Sequence, residues 1–474
     1  MKIDSIRPQT IGLLMALGLG CLRASAQTVE YSTLHSLVYT NSINPVAGLI
    51  LSGGILYGTT QQGGLNGGDG VVFKLNTDGS GFAPVCVFTS GPDGYDLSGS
   101  LVSSGSTLYG PALFGGSSGN GTLFGVNTNG TTFTNLFSFP ATGNNFPYTN
   151  GPGAYPQAGL IVSGNTLYGM ANAGGTGGWG TIFAISTTDG SFTNLHNFVD
   201  TDGQNPTSPL LLSGGTLYGA TPTGGANAMG TLFKVSTTGI GFTNFYNFTY
   251  SSSYPYTNSD GANPFGALIL VGNTLYGTAA AGGTNSTGTI FAINTDGSGF
   301  TTLHQFGGLA GTLQTNSDGA KPQSGLMLYG NALYGTAVNG GQFGNGTLYR
   351  LNLDGSGFSA LYHFTDTNNA AGTNADGAHP LGGLIQSGSV LYGTANVGGT
   401  AGYGTVFSLL VPPPLNITQV GTNAIVIWAT NVSGFNLQSA TNLAPPITWS
   451  AISGQYAVTN PMTGKLTFFR LTHP

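Results

Sequence analysis

Charge is what this sequence has least of. Asp, Glu, Lys and Arg together make up 5% of the 474 residues, and the formal net charge is −6. Glutamate occurs once, at Glu30, and beyond residue 26 the only arginines are Arg350 and Arg470. With no clustered Lys/Arg to displace counterions from phosphates, nucleic acid is not an expected partner, and anionic membrane surfaces are disfavoured for the same reason. Cysteine is scarcer still, with Cys21 and Cys86 alone. Long apolar runs are missing too. No stretch reaches the roughly 20 residues of a membrane-spanning helix, so no span is expected, and no helical period is sustained. Few charges and 82 glycines would ordinarily point to disorder. A hydrophobic content of 39% and regularly spaced aromatics argue against it.

Residues 1–26 read as an export signal. Lys2 and Arg7 make a basic start, Ile11 to Leu19 is a short apolar run, and Ala24-Ser25-Ala26 offers small residues for cleavage before Gln27. A rival reading, a lipoprotein signal ending at Cys21, lacks the usual leucine three residues earlier. Cleavage near Ala26 leaves Cys86 alone, so no intrachain disulfide can form. The expectation is a secreted or cell-surface protein held together by something other than disulfides.

That something is a repeat. Leu-Tyr-Gly begins at Leu56, Leu108, Leu167, Leu217, Leu275, Leu333 and Leu391, at intervals of 50–59 residues. Each unit holds four short β-type runs, as the fifth one illustrates. Gly266 to Leu270 is apolar and leads to a Gly-Asn turn into Thr274-Leu275-Tyr276-Gly277-Thr278. A loop around Gly282-Gly283 reaches Gly288 to Asn294, and Asp296-Gly297 turns the chain into Phe300 to Phe306. Gly-Asn and Asp-Gly are tight-hairpin signals, so first pairs with second and third with fourth. Four antiparallel strands repeated seven times, apolar on both faces, describe the blades of a β-propeller. The seventh unit reaches Val406-Phe407 and then Pro412-Pro413-Pro414 without a fourth strand. The missing copy lies at the other end of the chain, as Tyr31 to Leu37. The predicted fold is therefore all-β: a seven-bladed propeller over residues 27–411, closed by the N-terminal strand, plus a small C-terminal β-sandwich-like domain over 412–474. Closure removes exposed sheet edges.

The recurring Leu-Tyr-Gly-Thr, Gly-Gly, Gly-Thr-Val/Ile-Phe and Asn-Thr-Asp-Gly-Ser-Gly-Phe segments resemble the GloVer (Gloeo/Verruco) tandem repeat of secreted bacterial proteins, across about residues 28–411. The resemblance implies an exported repeat protein and brings no catalytic residues with it. The tail, with Phe435-Asn436-Leu437-Gln438 and Phe468-Phe469-Arg470-Leu471, is similar to a module that ends many secreted proteins of the same bacterial group. An accessory or sorting role is the expectation there.

Candidate chemistry must come from aspartate. Asp78, Asp296 and Asp354 sit in Asn-x-Asp-Gly-Ser-Gly-Phe turns, similar to the structural Asp-box hairpins of other propellers. Asp202, Asp260, Asp318 and Asp376 each open Asp-Gly-x-x-Pro in the connection to the next blade. Four carboxylates on adjacent blades could gather a hard cation such as Ca²⁺; the plain alternative is a turn ended by proline. No cofactor is otherwise required. His35, His196 and His304 share one fourth-strand place with Cys86, Phe137, Tyr246 and Tyr362, and a place that accepts all of these is packing. Two arginines cannot build a triad for a sialic acid carboxylate, and Cys86, in an outer strand, is misplaced for a Cys–Tyr copper centre near the axis. One position does vary like a recognition surface. The residue before the Gly that opens the third strand is Asp69, Asn120, Trp179, Met229, Thr287, Asn345 or Tyr403, on a frame that otherwise recurs. Varied loop tips on a rigid scaffold suit recognition, and Trp179 and Tyr403 suit stacking on sugars; unconstrained drift is the competing explanation. The functional expectation is a non-enzymatic extracellular scaffold binding a glycan or an extracellular protein. The alternatives are a polysaccharide-active hydrolase or lyase using loop aspartates, or a structural surface or matrix component.

Overall fold

The protein is described by a computed structural model. It covers residues 29–413 except 41, 65–67, 90, 252–256 and 368–370, together with Ile11–Leu13, Met15–Ala16, Ser25–Gln27 and parts of the tail. The export-signal segment thus lies mostly outside the described residues.

The four β-rich runs of each repeat become one antiparallel sheet. In the fifth, Ile269–Val271, Thr274–Ala279, Thr289–Asn294 and Thr301–Gln305 pair in chain order. The register sets Gly277 opposite Phe291. A Cβ on Gly277 would stand 2.5 Å from the Phe291 ring, so the glycine of Leu-Tyr-Gly makes room for the aromatic of the third strand. The same fit recurs in the other six sheets, with Tyr349 replacing phenylalanine opposite Gly335. First strands are shorter than their apolar runs predict. Gly266 lies out of the sheet at the axis, where its Cβ position is 2.5 Å from the Ser324 carbonyl oxygen of the next blade.

No blade has a core of its own. Seven apolar clusters fill the seven wedges between neighbouring sheets, and each draws on two blades. Between the third and fourth, Tyr168, Ile182 and Phe198 meet Leu217, Phe233 and Val235. Fully burying one such side chain contributes about 1.5–3 kcal/mol. The variable fourth-strand position stacks on an aromatic residue of the next blade. His196 lies on Phe242 at 3.5 Å, Tyr246 on Phe300 at 4.2 Å and His304 on Phe358 at 3.6 Å, all nearly coplanar. Any flat side chain fits there, which is why histidine, tyrosine and phenylalanine interchange.

The ring closes as the repeat count requires. Glu30–Ser36 is the fourth strand of the seventh sheet, pairing with Thr405–Leu410 in the register Thr405↔Ser36 to Leu410↔Glu30. Stacking continues through the clasp on both sides: Tyr31 on Tyr362 at 3.9 Å, and His35 on Phe82 at 4.0 Å. Beyond the propeller, Asn416–Val420, Asn423–Ile427 and Ala457–Pro461 form one small sheet. In a second, Asn436–Ala440 pairs with Phe468–Thr472, setting Leu437 opposite Leu471 and Gln438 opposite Arg470, so the two signature segments of the tail are strand partners. Among the described residues no helix is long and apolar enough to cross a membrane.

Candidate functional site

One face of the ring carries both the Gly-Gly loops and the connections between blades, and short bridges stitch them together. Gln204 bridges Thr223, Ala262 bridges Ala281 and Ala378 bridges Val397. Two residues of each unit are organised by this stitching. The varied residue before the third strand presents its carbonyl, and a residue in the next connection donates its N–H to it. Asn205 donates to Trp179 at 3.0 Å, Asn263 to Met229 at 3.0 Å, Lys321 to Thr287 at 2.7 Å and His379 to Asn345 at 2.9 Å. Asn44 donates to Tyr403, Asp96 to Asp69 and Tyr155 to Asn120 in the same way. All seven donors are left-handed, with φ between 53° and 61°. Non-glycine residues seldom adopt this conformation, and where they persist the surroundings over-determine them, often at binding sites. Here all but Asp96 also precede a proline, whose ring disfavours right-handed helical geometry at the preceding residue.

This ring of left-handed residues was not singled out in the sequence. The signal available was a variable residue before a proline, repeated in six of the seven units. The chain just beyond them, from Val46, Ser98, Gln157, Thr207, Phe265, Gln323 and Leu381 onward, lines a central cavity of about 530 Å³ at the channel mouth. That volume falls within the usual range of ligand sites, about 300–1,000 Å³. Amides and hydroxyls furnish its polarity. Thr207 Oγ1 and Asn396 Oδ1 are buried there without a hydrogen-bond partner. At its margin Gln61 Nε2 donates to Asp96 Oδ1 at 3.2 Å, and burial raises the Asp96 carboxyl above its ordinary range.

The varied residues are not free tips. Asn120, Met229, Thr287 and Asn345 are buried. The three polar ones donate to outer carbonyls: Asn120 to Pro140 at 2.8 Å, Thr287 to Phe306 at 2.7 Å, Asn345 to Thr365 at 2.6 Å. Asp69, Trp179 and Tyr403 are half-buried, and they border open aromatic neighbours. Trp179 meets Phe146 edge-on at 5.5 Å, and Tyr403 lies 5.8 Å from Tyr39.

Among the described residues the four Asp-Gly-x-x-Pro carboxylates are not brought together into one group. Each is engaged by the fourth strand that it follows. Asp202 lies 2.9 Å from His196 Nε2 and accepts from the Val199 N–H at 2.7 Å. Asp260 accepts from the Tyr246 hydroxyl at 2.8 Å and the Thr249 N–H at 2.9 Å. Asp318 meets His304 Nε2 at 3.1 Å and the Gly307 N–H at 2.9 Å, while Asp376 accepts from the Tyr362 hydroxyl at 2.7 Å and the Thr365 N–H at 2.9 Å. The carboxylates cap the exits of outer strands, away from the mouth, and among the described residues no three of His, Cys, Asp and Glu are grouped to hold a metal. Asp78, Asp296 and Asp354 are exposed turn residues. Each accepts from the serine two positions on, which holds its carboxyl below the ordinary range.

The family model described as Gloeobacter/Verrucomicrobia repeat matches residues 21–151 and 145–316. No curated protein is matched by sequence. Among solved structures, an oligogalacturonate lyase in complex with manganese is similar at 11% identity and a TM-score of 0.46, over 85% of this chain and 97% of the lyase. A chain of the nidogen/laminin complex is similar at 15% identity and 0.35, over 58% and 82%. TolB from Acinetobacter baumannii is similar at 11% and 0.35, over 61% and 59%.

Proposed function

The chain belongs to the Gloeobacter/Verrucomicrobia repeat family, and from that premise we propose that it is a secreted, non-enzymatic binding protein whose stitched face recognises an extracellular glycan. Export follows from the basic, apolar and small-residue pattern of residues 1–26. The observation that carries recognition is the ring of left-handed residues. One backbone geometry, repeated around a polar cavity, holds Asn, Asp, Tyr, Lys or His at the same place. A rigid frame with exchangeable side chains is how loops on a scaffold are adapted to a ligand. A glycan suits the lining better than a polyanion does, because its polar side chains are amides and hydroxyls and no Lys or Arg lines it. Of the originally varied positions, Asp69, Trp179 and Tyr403 remain open enough to touch a ligand, and the others support the frame.

The test is a glycan array run beside a reducing-sugar release assay on the whole protein. Binding without release is expected. Release of reducing ends would move the protein to the polysaccharide-active class. Neither binding nor release would favour a structural surface or matrix role.

A further inference from the structure

The bridge between connection and Gly-Gly loop carries an aromatic pair only in the second of the seven blades; in the first it joins Ile43 to Gln62 and in the fourth Gln204 to Thr223. Elsewhere it joins Ala154 to Ala173, Ala262 to Ala281, Ala320 to Asn339 and Ala378 to Val397. In the second blade it joins Tyr95 to Phe114. Their rings stack at 5.3 Å, 29° apart, and both are half-buried. The alanine pairs make the same bridge with no ring, so the fold does not require these aromatics. The residue that follows departs as well. At the left-handed position this blade alone carries a carboxylate, Asp96.

These departures converge. Tyr95, Phe114, Asp96, Asp69, Gln61 and Tyr39 line a cavity of about 350 Å³ between the first and second blades, next to the channel mouth, with which it shares Gln61. Tyr39 is 55% exposed at its outer side. Gln61 Nε2 and Ser98 Oγ donate to Asp96 Oδ1. Among the described residues nothing donates to Asp96 Oδ2 or to the Asp69 carboxylate, and no Lys or Arg lines the cavity.

We infer that this cavity is a saccharide subsite for a neutral, hydroxyl-rich sugar, seated against the Tyr95–Phe114 pair with its hydroxyls donating to Asp69 and Asp96. The inference rests on the glycan-binding reading above and deepens it. Aromatic faces take the C–H face of a pyranose, while free carboxylate oxygens accept from hydroxyls. The same carboxylates, with no cation beside them, repel uronates and sulfated sugars.

The experiment is calorimetric titration of the whole protein with cellotetraose, laminaritetraose, mannotetraose and trigalacturonate, repeated on Tyr95→Ala, Phe114→Ala and Asp69→Asn. The two alanine variants install what equivalent blades already carry. At least one neutral tetrasaccharide should bind, with each aromatic truncation weakening it about fivefold or more. Asp69→Asn should weaken it as well, and trigalacturonate should bind worst. If a truncation fails to fold, Phe114→Trp supplies a fluorophore whose emission should shift on addition of the neutral sugar and stay still with trigalacturonate. A neutral sugar bound equally by wild type and both truncations would overturn this subsite and leave glycan binding intact, and so would preference for trigalacturonate. No binding by any array glycan or tetrasaccharide would overturn both.

Discussion

Single residues in this protein are chosen for fit between blades. Glycine in Leu-Tyr-Gly yields its Cβ space to an aromatic ring, and the fourth-strand position takes any flat side chain. His35 is the case with a measurable consequence. It stacks on Phe82 in the clasp, its Nε2 is buried without a partner, and burial lowers its pKa. A histidine whose folded pKa is depressed stabilises the fold fully above its unfolded value, about 6.5, and loses that contribution as pH falls through the folded value. His363 is lowered in the same direction, again chiefly by burial. His35→Phe, which copies the side chain at Phe137, should therefore shrink the fall in melting temperature between pH 7.5 and pH 5. Melting curves of the two proteins at both pH values check this, and an unchanged acid loss would mean that His35 takes up its proton as readily in the folded clasp as in the unfolded chain. Cys86 belongs to the same column. Burial pushes its thiol up to about 11, which makes it a packing residue rather than a nucleophile.

Among the elements, the N-terminal strand carries the most consequence, because it alone joins the two ends of the ring. Its pairing with Thr405–Leu410 hides a sheet edge, Tyr31 reaches back to the sixth blade, and Leu37 is fully buried. A chain starting at Asn44 loses all three. The third strand of the seventh sheet becomes an exposed edge, the feature that templates association between copies. Losing a few buried apolar side chains, at about 1.5–3 kcal/mol each, should lower the melting temperature by on the order of 10 °C, with aggregation on heating. Calorimetry and light scattering would measure both. A truncated protein that stays monomeric and melts unchanged would contradict the role given to the clasp.

At the scale of the whole molecule, stability is distributed over seven similar wedges, to which no described residue of the tail contributes. Each apolar cluster is drawn from adjacent blades, with Val411 the last residue to contribute. Deleting residues 415–474 should therefore leave the propeller folded, with its melting temperature within about 3 °C, since no cavity is opened between blades. A large loss, or an insoluble product, would show that the tail packs on the ring in a way that these clusters do not reveal.

The amino-acid sequence by itself determined the blade count, the order of strands and the exchange that closes the ring. These depend on local turn chemistry and on pairing between neighbours in the chain, so Gly-Asn, Asp-Gly and a missing fourth strand were enough to read them. The sequence also exposed the packing column at His35, His196 and His304, because a place that accepts Cys, Phe, Tyr and His cannot be a ligand set. Only the tertiary structure decided which residues line the cavities of the stitched face. Asp202, Asp260, Asp318 and Asp376 look free along the chain, yet each is engaged by the strand behind it once the connection folds back. Asn120, Met229, Thr287 and Asn345 vary like exposed tips but pack inward. Asp96 reaches the margin of the central cavity, through Gln61, only because every blade turns its connection over the previous one. Tyr95 and Phe114 stand 19 residues apart in the sequence and become a platform through one backbone bridge. Side-chain direction at those places is set by blade-to-blade rotation about a common axis, a relation between distant segments that no local pattern encodes.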